Sequence, residues 1–436
     1  MRDKGLSVCW FRRDLRLNDN AALYHSLRGQ YPVLPAFIFD TNILNRLDNK
    51  KDKRVAFIHQ SLSQIDFVFK EHKSSLYVVN DTPLEAFKKI CTEFDVKEVF
   101  ANHDYEPYAI ERDERIKGFL KKRDIAFHTF KDQVIFEKSE VMKANGDPYT
   151  IFTPYSKVWK EKLKETGIKP FPSEKLLDNL FKTNPIHFPS LKEIGFQNVE
   201  FEIPSLNLSS QVIRHYDETR NIPSVEGTSF ASVHLRFGTV SVRELVKTAL
   251  KLNEQWLNEL IWREFFMMIL FHYPFVVDNS FKKKYDAILW RNNGKEFELW
   301  CKGETGYPIV DAGMRQLNET GWMHNRVRMI VASFFCKDLL IDWRWGEAYF
   351  AEKLLDYELS SNNGNWQWAA GTGCDAAPYF RIFNPSEQMK KFDPKLVYIK
   401  KWIKDFRPGY LPEIVKHNFA RKRALEAYKN ALNEDV

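Results

Sequence analysis

Short apolar runs alternate with amphipathic segments over the first third of the chain. The runs LSVCWF, VLPAFIFD, SLYVVN, EVFANH and IAFHTF are rich in β-branched and aromatic residues, and segments such as PLEAFKKICTEF separate them. This alternation is typical of parallel strands covered by helices. We therefore predict that residues 1–133 form a doubly wound α/β domain with a parallel sheet.

The remainder of the chain has a different pattern. Beyond residue 134 the periodicity breaks down and prolines accumulate, which predicts an interdomain linker over 134–210 with some helix around SKVWKEKLKE. From residue 211, apolar residues recur every three or four positions, as in VRELVKTALKLNEQWLNELIWREFF. We therefore predict an all-α domain over 211–436.

The charge balance is moderately basic, with a net charge of +7 and a pI of about 8.9. Such a surplus attracts polyanions, but a basic enzyme without a nucleic-acid partner fits it equally well. The five cysteines are odd in number and form no C-x-x-C pair, so we expect neither disulfides nor a metal site. Since no signal peptide or apolar span of membrane length is evident, we expect a cytoplasmic monomer without a membrane partner.

Residues 362–373 read NNGNWQWAAGTG, and this stretch contains two tryptophans but almost no aliphatic side chains. Taken alone, such tryptophans usually pack in a core. This stretch has almost no aliphatic core to bury them, which leaves their role open at this point.

The segment GTSFASVHLRFG begins at Gly227 and contains Thr228, Ser229 and Ser232 at the start of a predicted helix. Small hydroxyl residues at such a position act as helix N-caps or donate hydrogen bonds to a diphosphate. The segment alone does not distinguish these two roles.

The segment WLNELIWREFF places Trp256, Glu259 and Arg263 on one helical face, with Trp262 beside Glu259. One interpretation is a structural ion pair between Glu259 and Arg263 with packed indoles around it. The other is a carboxylate that accepts hydrogen bonds from a flat heterocycle stacked on the indoles.

Four long segments keep their order along nearly the whole chain: WFRRDLRLNDNAAL, GTSFASVHL, TGYPIVDAGMRQLNETGWMHNRVRM and NNGNWQWAAGTGCDAAPYFRIFNP. Together they resemble the photolyase/cryptochrome family, and specifically its class I cyclobutane pyrimidine dimer photolyases. The resemblance implies an α/β antenna domain followed by a helical domain that holds FAD, which is active as the reduced anion. It also implies light-driven DNA repair by electron transfer from excited reduced FAD to a pyrimidine dimer that is flipped out of the helix, as photolyases are known to do.

The resemblance also implies which residues contact FAD. Arg328 and Asp356 are expected beside the flavin ring, where a fixed cation stabilises the anionic cofactor. Asn362 is expected near flavin N5; plant cryptochromes carry an acid there, so a neutral amide favours repair. The other expected FAD contacts are Tyr216, Thr228, Ser229, Ser232, Trp256, Arg263 and Glu358.

The expected contacts to the damaged DNA follow from the same resemblance. Glu259 and Asn325 are expected to hydrogen-bond the flipped pyrimidines, Met329 to pack on them, and Trp262 and Trp368 to flank them. A six-four photolyase would need a histidine pair in this region, which has only His324 in MHNRVRM. The residues expected to contact the DNA strand are Arg220, Arg326, Arg381 and Gln388.

Three tryptophans match the family's chain for light-driven reduction of FAD, namely Trp366, Trp343 and Trp290. Indoles oxidise readily, so such a chain passes an electron hole stepwise to the surface. The alternative function is a cryptochrome-type blue-light photoreceptor without repair activity.

A second, antenna chromophore is implied less specifically. The first apolar run is followed by WFRRDLRLND and not by G-x-G-x-x-G, so ordinary dinucleotide binding is not expected there. Tyr105 and Glu106 match the family's antenna segment, but PFVVDNSFKKKYD lacks the basic residue that some folate-binding members use. A folate, a deazaflavin, another flavin and no antenna at all remain open.

Overall fold

The computed structural model describes residues 5–404, 406–407 and 409–433. The chain divides into two compact units, each drawn from three stretches of sequence. The first, which we call the N-terminal unit, comprises Met1–Glu137, Lys162–Leu206 and Phe230–Thr248. The second, the helical unit, comprises Lys138–Glu161, Asn207–Ser229 and Ala249–Val436.

A five-stranded sheet forms the centre of the N-terminal unit. All its strand pairs are parallel, and the spatial order is β3-β2-β1-β4-β5. This order confirms the predicted doubly wound sheet. The strands are β1 (Leu6–Phe11), β2 (Val33–Asp40), β3 (Tyr77–Asp81), β4 (Val96–Asn102) and β5 (Ala126–Phe130).

Burial explains why the central strands read as uninterrupted apolar runs. Every residue of β1 and β2 is buried, because helices cover both faces of a parallel sheet. The edge strand β5 is partly exposed along its length. The sequence pattern therefore reports the position of a strand in the sheet as well as its presence.

The helices account for most of the remaining described residues and for the core of the helical unit. They confirm the prediction of a helical C-terminal region. In chain order they are α1 (Ala21–Leu27), α2 (Thr41–Leu44), α3 (Lys53–Glu71), α4 (Pro83–Glu93), α5 (Pro107–Lys121), α6 (Phe152–Thr166), α7 (Ser210–Arg214), α8 (Tyr216–Thr219), α9 (Ala231–Phe237), α10 (Val242–Leu252), α11 (Glu254–His272), α12 (Gly294–Lys302), α13 (Pro308–Thr320), α14 (Asn325–Ser333), α15 (Trp343–Lys353), α16 (Leu359–Ala370), α17 (Pro385–Phe392), α18 (Val397–Trp402) and α19 (His417–Asn433).

A buried ion network ties residues 230–248 to the sheet of the N-terminal unit. Asp132 accepts hydrogen bonds from Arg16 and Arg243, each at 2.7 Å, and the Nε of Arg243 donates to Asp19 at 2.9 Å. All four side chains are buried. Because an unpaired charge in this position would be costly, the network fixes where this stretch of chain packs.

Two helix ends of the helical unit determine where polar side chains of the candidate site lie. α14 begins after His324, whose ring accepts a hydrogen bond from the backbone N–H of Arg326 at 3.2 Å. α16 ends at Ala370 and is followed by Gly371, whose φ of +88° is a conformation that residues other than glycine rarely adopt. These caps fix where α14 begins and where α16 ends.

No described helix combines the length and apolar character that crossing a bilayer requires. Among the described residues, no group of three or more His, Cys, Asp or Glu side chains is arranged to hold a metal ion.

Candidate functional site: a cleft between α14, α15 and α16

An open cleft lies within the helical unit and measures about 610 Å³ including its mouth. Its walls combine apolar and aromatic surface with a few polar groups. The lining residues are Asn325, Arg328, Met329, Ala332, Phe350, Leu354, Asp356, Tyr357, Glu358, Ser361, Asn362, Asn365, Trp366, Trp368 and Ala369.

Helix α14 supplies three of the polar and apolar groups through its periodicity. Asn325, Arg328 and Met329 stand at i, i+3 and i+4 and line the cleft together. The Arg328 guanidinium donates to Asp356 at 2.9 Å and to the Met323 carbonyl at 2.7 Å, so its charge is held in place. The cleft therefore has a fixed cation paired with a buried carboxylate.

The capping histidine of α14 is neutral near pH 7. Burial is the main cause that lowers the pKa of His324 to about 4, and the charges of Arg328, Arg326 and Arg220 lower it further. A neutral ring can accept the capping hydrogen bond at Nδ1, so its proton sits on Nε2. That Nε2 has no hydrogen-bond partner among the described residues.

Helix α16 explains the paired tryptophans of NNGNWQWAAGTG. Trp366 is buried, lines the cleft and packs on Phe350 with ring centroids 5.0 Å apart, whereas Trp368 is only half-buried at the cleft wall. The intervening Gln367 is buried and donates to backbone carbonyls such as that of Val276 at 3.0 Å. The two indoles thus differ in environment although they are two residues apart.

Asn362 lies on the same helix, one turn before Trp366, and its amide is oriented by Glu347. The Nδ2 atom donates to the Glu347 carboxylate at 2.7 Å and to the Glu347 carbonyl at 3.0 Å. Because both donors of the amide are used in this way, its carbonyl oxygen is left as the group available to a ligand. Burial raises the pKa of Glu347, and the hydrogen bond from Asn362 opposes that shift.

Glu259 lies on α11 and is half-buried. It forms an ion pair with Arg220, and Gln255 donates to it at 3.0 Å. Burial raises the pKa of Glu259, while the Arg220 charge lowers it. A carboxylate held by two donors from one side retains acceptor capacity on its other lone pairs.

Trp262, one turn further along α11, is stacked on Phe152. Their ring centroids are 3.7 Å apart and the planes differ by 4°. Phe266 covers more of the indole at 5.5 Å. Phe152 was not among the predicted site residues, because it lies in the segment predicted as a linker. The aromatic-rich stretch IFTPY is the sequence signal that could have identified it.

Four of the side chains expected on the rest of FAD form two hydrogen-bonded pairs within the helical unit. Trp256 donates to the Ser229 hydroxyl at 3.2 Å, and Arg263 donates to Glu358 at 2.9 Å. Tyr216 is the first residue of α8, and Thr228 precedes Ser229 in the chain. Ser232 lies in the N-terminal unit, exposed near the start of α9.

The basic residues expected to contact DNA are close enough to repel one another. Burial lowers the pKa of Arg326, and the charges of Arg220 and Arg381 lower it further. Asn221 accepts from Arg326 at 2.6 Å, and the guanidinium lies 4.5 Å from the Phe392 ring centre. Gln388 is a half-buried residue of α17.

The three tryptophans of the predicted chain belong to one aromatic core. Trp366 and Trp343 are buried members of it, and Trp290 packs against it while half-buried. Gly346 on α15 allows this packing, since a Cβ atom there would come within 2.2 Å of the Trp366 ring.

The two residues predicted for an antenna site are engaged within the N-terminal unit. The buried Tyr105 donates its hydroxyl to Glu137 at 2.7 Å. Glu106 pairs with Arg13 at 2.9 Å.

The donor set of the cleft fits FAD. A flavin ring has a flat apolar body whose edge carries both N–H and carbonyl groups, and the cleft offers aromatic walls beside a cation, a carboxylate and an oriented amide. The fold and the cleft therefore define a flavoprotein with an α/β unit and a helical, cofactor-binding unit.

Comparisons with known proteins agree with this class. A family profile described as the FAD binding domain of DNA photolyase matches residues 256–408, and one described as DNA photolyase matches residues 7–175. The deoxyribodipyrimidine photo-lyase of Escherichia coli is 36% identical, and the match covers 97% of this chain and 98% of the relative. The chain belongs to the photolyase/cryptochrome family, and its cofactor is FAD.

Two solved structures share the whole fold. A class III photolyase from Agrobacterium tumefaciens has a TM-score of 0.85 at 29% identity, covering 99% of this chain and 98% of its own. An archaeal photolyase from Sulfolobus tokodaii, described with two FAD molecules, has a TM-score of 0.79 at 33% identity, covering 97% and 99%.

Proposed function

We propose that this protein is a class I photolyase that uses blue light to repair cyclobutane pyrimidine dimers in DNA. The observation that supports this proposal is the set of groups around one cleft: Asn325, Met329, Asn362, Trp366 and Trp368. Hydrogen-bonding amides, apolar surface and indoles in one cavity suit a flipped pyrimidine pair better than a small polar substrate.

When bound as the reduced anion and excited by light, FAD would supply one electron to the dimer, and the electron would return once the cyclobutane ring has opened. The residues of the chain contribute position and charge. The Arg328 cation stabilises the negative cofactor, and the neutral Asn362 offers an acceptor without an acidic proton. Glu259 and Asn325 hold the pyrimidine edges, and Trp262 and Trp368 flank the bases while limiting access of water.

The basic side chains around Arg326 contact phosphates beside the lesion. Contacts to phosphate give affinity and salt dependence with little choice of sequence, which suits an enzyme that must act on damage anywhere. Arg220 has a second role in this proposal, because it holds Glu259 in place. Arg381 and Gln388 extend the contact surface along the strand.

Tyr216, Thr228, Ser229, Trp256, Arg263 and Glu358 of the helical unit hold the rest of FAD in this proposal, and the protein acts as a monomer. Two of these contacts are already preorganised by the Trp256–Ser229 and Arg263–Glu358 hydrogen bonds. Tyr105 and Glu106 line the antenna site if a second chromophore is bound. Extraction of the chromophores from purified protein, followed by mass spectrometry, identifies an antenna or shows that FAD is alone.

The test compares three oligonucleotides with a thymine dimer, a six-four photoproduct or no damage. The fully reduced protein is incubated with each under blue light and in the dark, and intact thymines are counted. We expect repair of the dimer in the light only. If the reduced protein repairs no dimer, the proposal is wrong, and light-dependent binding of a protein partner would then favour a cryptochrome-type photoreceptor.

A further inference from the structure

The ring of Trp366 has a second tryptophan as its neighbour. Trp300 lies with its ring centroid 6.2 Å from that of Trp366, at an angle of 70°. It is a fully buried residue of α12 and is not part of the predicted chain of Trp366, Trp343 and Trp290. At this separation the two indoles are in edge contact, so electron transfer between them needs no intervening group.

Trp300 in turn contacts an oxidisable side chain near the surface. Tyr349 of α15 lies 5.6 Å from Trp300 at 63°, and it is half-buried. Its hydroxyl donates to the Oδ1 atom of the exposed Asn318 at 2.7 Å, and the Cys301 carbonyl is a second, more distant acceptor at 3.2 Å. A phenol in this position has an acceptor that connects it to solvent.

We propose that Trp366, Trp300 and Tyr349 form a second electron-transfer route to the flavin site, which ends in a tyrosyl radical. The inference rests on the proposed function in one respect, namely that FAD lies in the cleft against Trp366. With FAD bound there, its light-excited oxidised form would supply the oxidant, and Trp366 would give up one electron to it. Trp300 refills Trp366, and Tyr349 refills Trp300.

Tyr349 gives up one electron and one proton in this route, and both are later returned. Loss of one electron makes its phenolic proton acidic, and this proton leaves along the hydrogen bond to Asn318 and into water. A small-molecule thiol in solution later returns one electron, while one proton returns from water. Burial raises the pKa of the Tyr349 phenol, so the hydroxyl is protonated before oxidation.

The surroundings of Trp300 favour onward transfer of the hole. Its indole N–H is buried with no hydrogen-bond partner among the described residues, so the oxidised ring has no group to accept its proton. A protonated indole radical is a stronger oxidant than a deprotonated one. The Lys353 ammonium lies 5.4 Å from the Tyr349 ring, but it is paired with Glu352 at 2.7 Å, which offsets its charge.

A second tyrosine, Tyr428, lies near the predicted chain but in surroundings that do not let its proton reach solvent. Tyr428 lies 5.9 Å from Trp290, yet it is buried and the Lys337 ammonium is 3.6 Å from its ring centre. Its hydroxyl donates to the buried carbonyl of Ala370. The hydroxyl proton of Tyr428 has no path to water, so Tyr428 does not compete with Tyr349.

The test follows bleaching of the oxidised flavin's visible absorption under blue light, together with radical spectra by electron paramagnetic resonance. The Trp290→Phe variant removes the last tryptophan of the predicted chain Trp366, Trp343 and Trp290. We expect this variant to retain photoreduction through Tyr349. Adding Tyr349→Phe should lower photoreduction to the level of Trp366→Phe. Protein containing tyrosine deuterated at Cβ should show a narrowed radical signal, and this measurement needs no variant.

The exposed Trp345, on the same helix as Tyr349, provides the control. The ring next to Trp345 is that of Phe297, at 5.3 Å, and phenylalanine is not oxidised under these conditions. Trp345 is therefore not connected to the proposed route, and Trp345→Phe should leave photoreduction unchanged. Equal photoreduction in Trp290→Phe with and without Tyr349→Phe, and no deuterium effect, would overturn the route. Absence of dimer repair by chemically reduced protein would overturn the proposed function instead and leave these results unaffected.

Discussion

Individual side chains of the cleft are held by partners that the cofactor does not provide. Glu347 uses both donors of the Asn362 amide, and Asp356 holds the Arg328 guanidinium. Such preorganisation means that the groups are in place before a ligand arrives, so the ligand need not spend binding energy on orienting them.

Glu259→Ala tests the proposed contact to the lesion. We expect the affinity for dimer-containing DNA to fall by roughly tenfold or more, because losing a hydrogen bond to a charged group costs about 1.5–3 kcal/mol. FAD content should be unchanged, as measured by absorbance of the purified protein. Glu254→Ala, on the same helix and paired with Lys160 at the surface, is the matched control and should bind DNA normally. Loss of FAD from Glu259→Ala would instead indicate a structural ion pair.

Lys337 is a buried cation that caps α16, because its Nζ donates to the Ala370 carbonyl at 2.7 Å. Burial lowers its pKa to about 7 from the usual 10.5. Between these two pH values the unfolded chain binds the proton more than the folded chain does, so this residue makes stability rise with pH across that window.

The corresponding prediction concerns Lys337→Met measured against the parent protein. The melting temperature of the parent should increase relative to that of the variant as the pH rises from about 7 to about 10. The reason is that only the parent has a buried charge to lose over this range. Thermal unfolding at several pH values gives the difference. A difference that is constant over this range would show that burial does not lower the pKa of Lys337.

At the scale of the elements, the close contact between α15 and α16 depends on glycine at position 346, which has no side chain. A Cβ atom at Gly346 would meet the Trp366 ring at 2.2 Å, and one at Gly364 would meet Phe266 at 2.2 Å. The first contact places Trp366 at the wall of the cleft. The second lets α11 approach α16 closely.

Gly346→Ala should therefore displace Trp366. We expect a loss of about 1–3 kcal/mol in stability, as overpacked cores show, together with weaker FAD retention. Gly118→Ala, in the exposed part of α5 with nothing within 4 Å, is the control and should be neutral or stabilising. Thermal unfolding and the flavin-to-protein absorbance ratio measure both effects. An unchanged ratio in Gly346→Ala would contradict this account of the α15–α16 contact.

The elements also show what the sequence can and cannot predict. The five strands and the helical periodicity of the C-terminal region followed from local patterns, and so did the shared face of Asn325, Arg328 and Met329. Contacts between side chains on different elements could not be predicted from these local patterns. Arg220 is 39 residues from Glu259, and Phe152 is far from Trp262 in the chain, so only packing brings them together.

For the whole molecule, the net charge of +7 is less informative than its local concentration around Arg326. In the proposed function, three guanidinium groups that repel one another would be stabilised by a phosphate bound among them. The counterions released from the phosphates then make binding depend on salt.

Arg326→Ala should weaken binding of damaged and undamaged DNA to a similar degree, because phosphate contacts do not read the lesion. The slope of log affinity against log salt should become shallower by about 1. Arg115→Ala, an exposed residue of the N-terminal unit paired with Glu111, should leave both affinity and slope unchanged. A selective loss of dimer binding would place Arg326 at the lesion instead.

The central claim is that a flipped pyrimidine dimer enters the cleft beside the reduced flavin. The most direct measurement is the fluorescence lifetime of the reduced flavin with saturating DNA, because an electron acceptor shortens that lifetime only at close range. We predict a shorter lifetime with a dimer-containing oligonucleotide and no change with an undamaged one. Equal lifetimes with both oligonucleotides, when both are fully bound, would contradict the account.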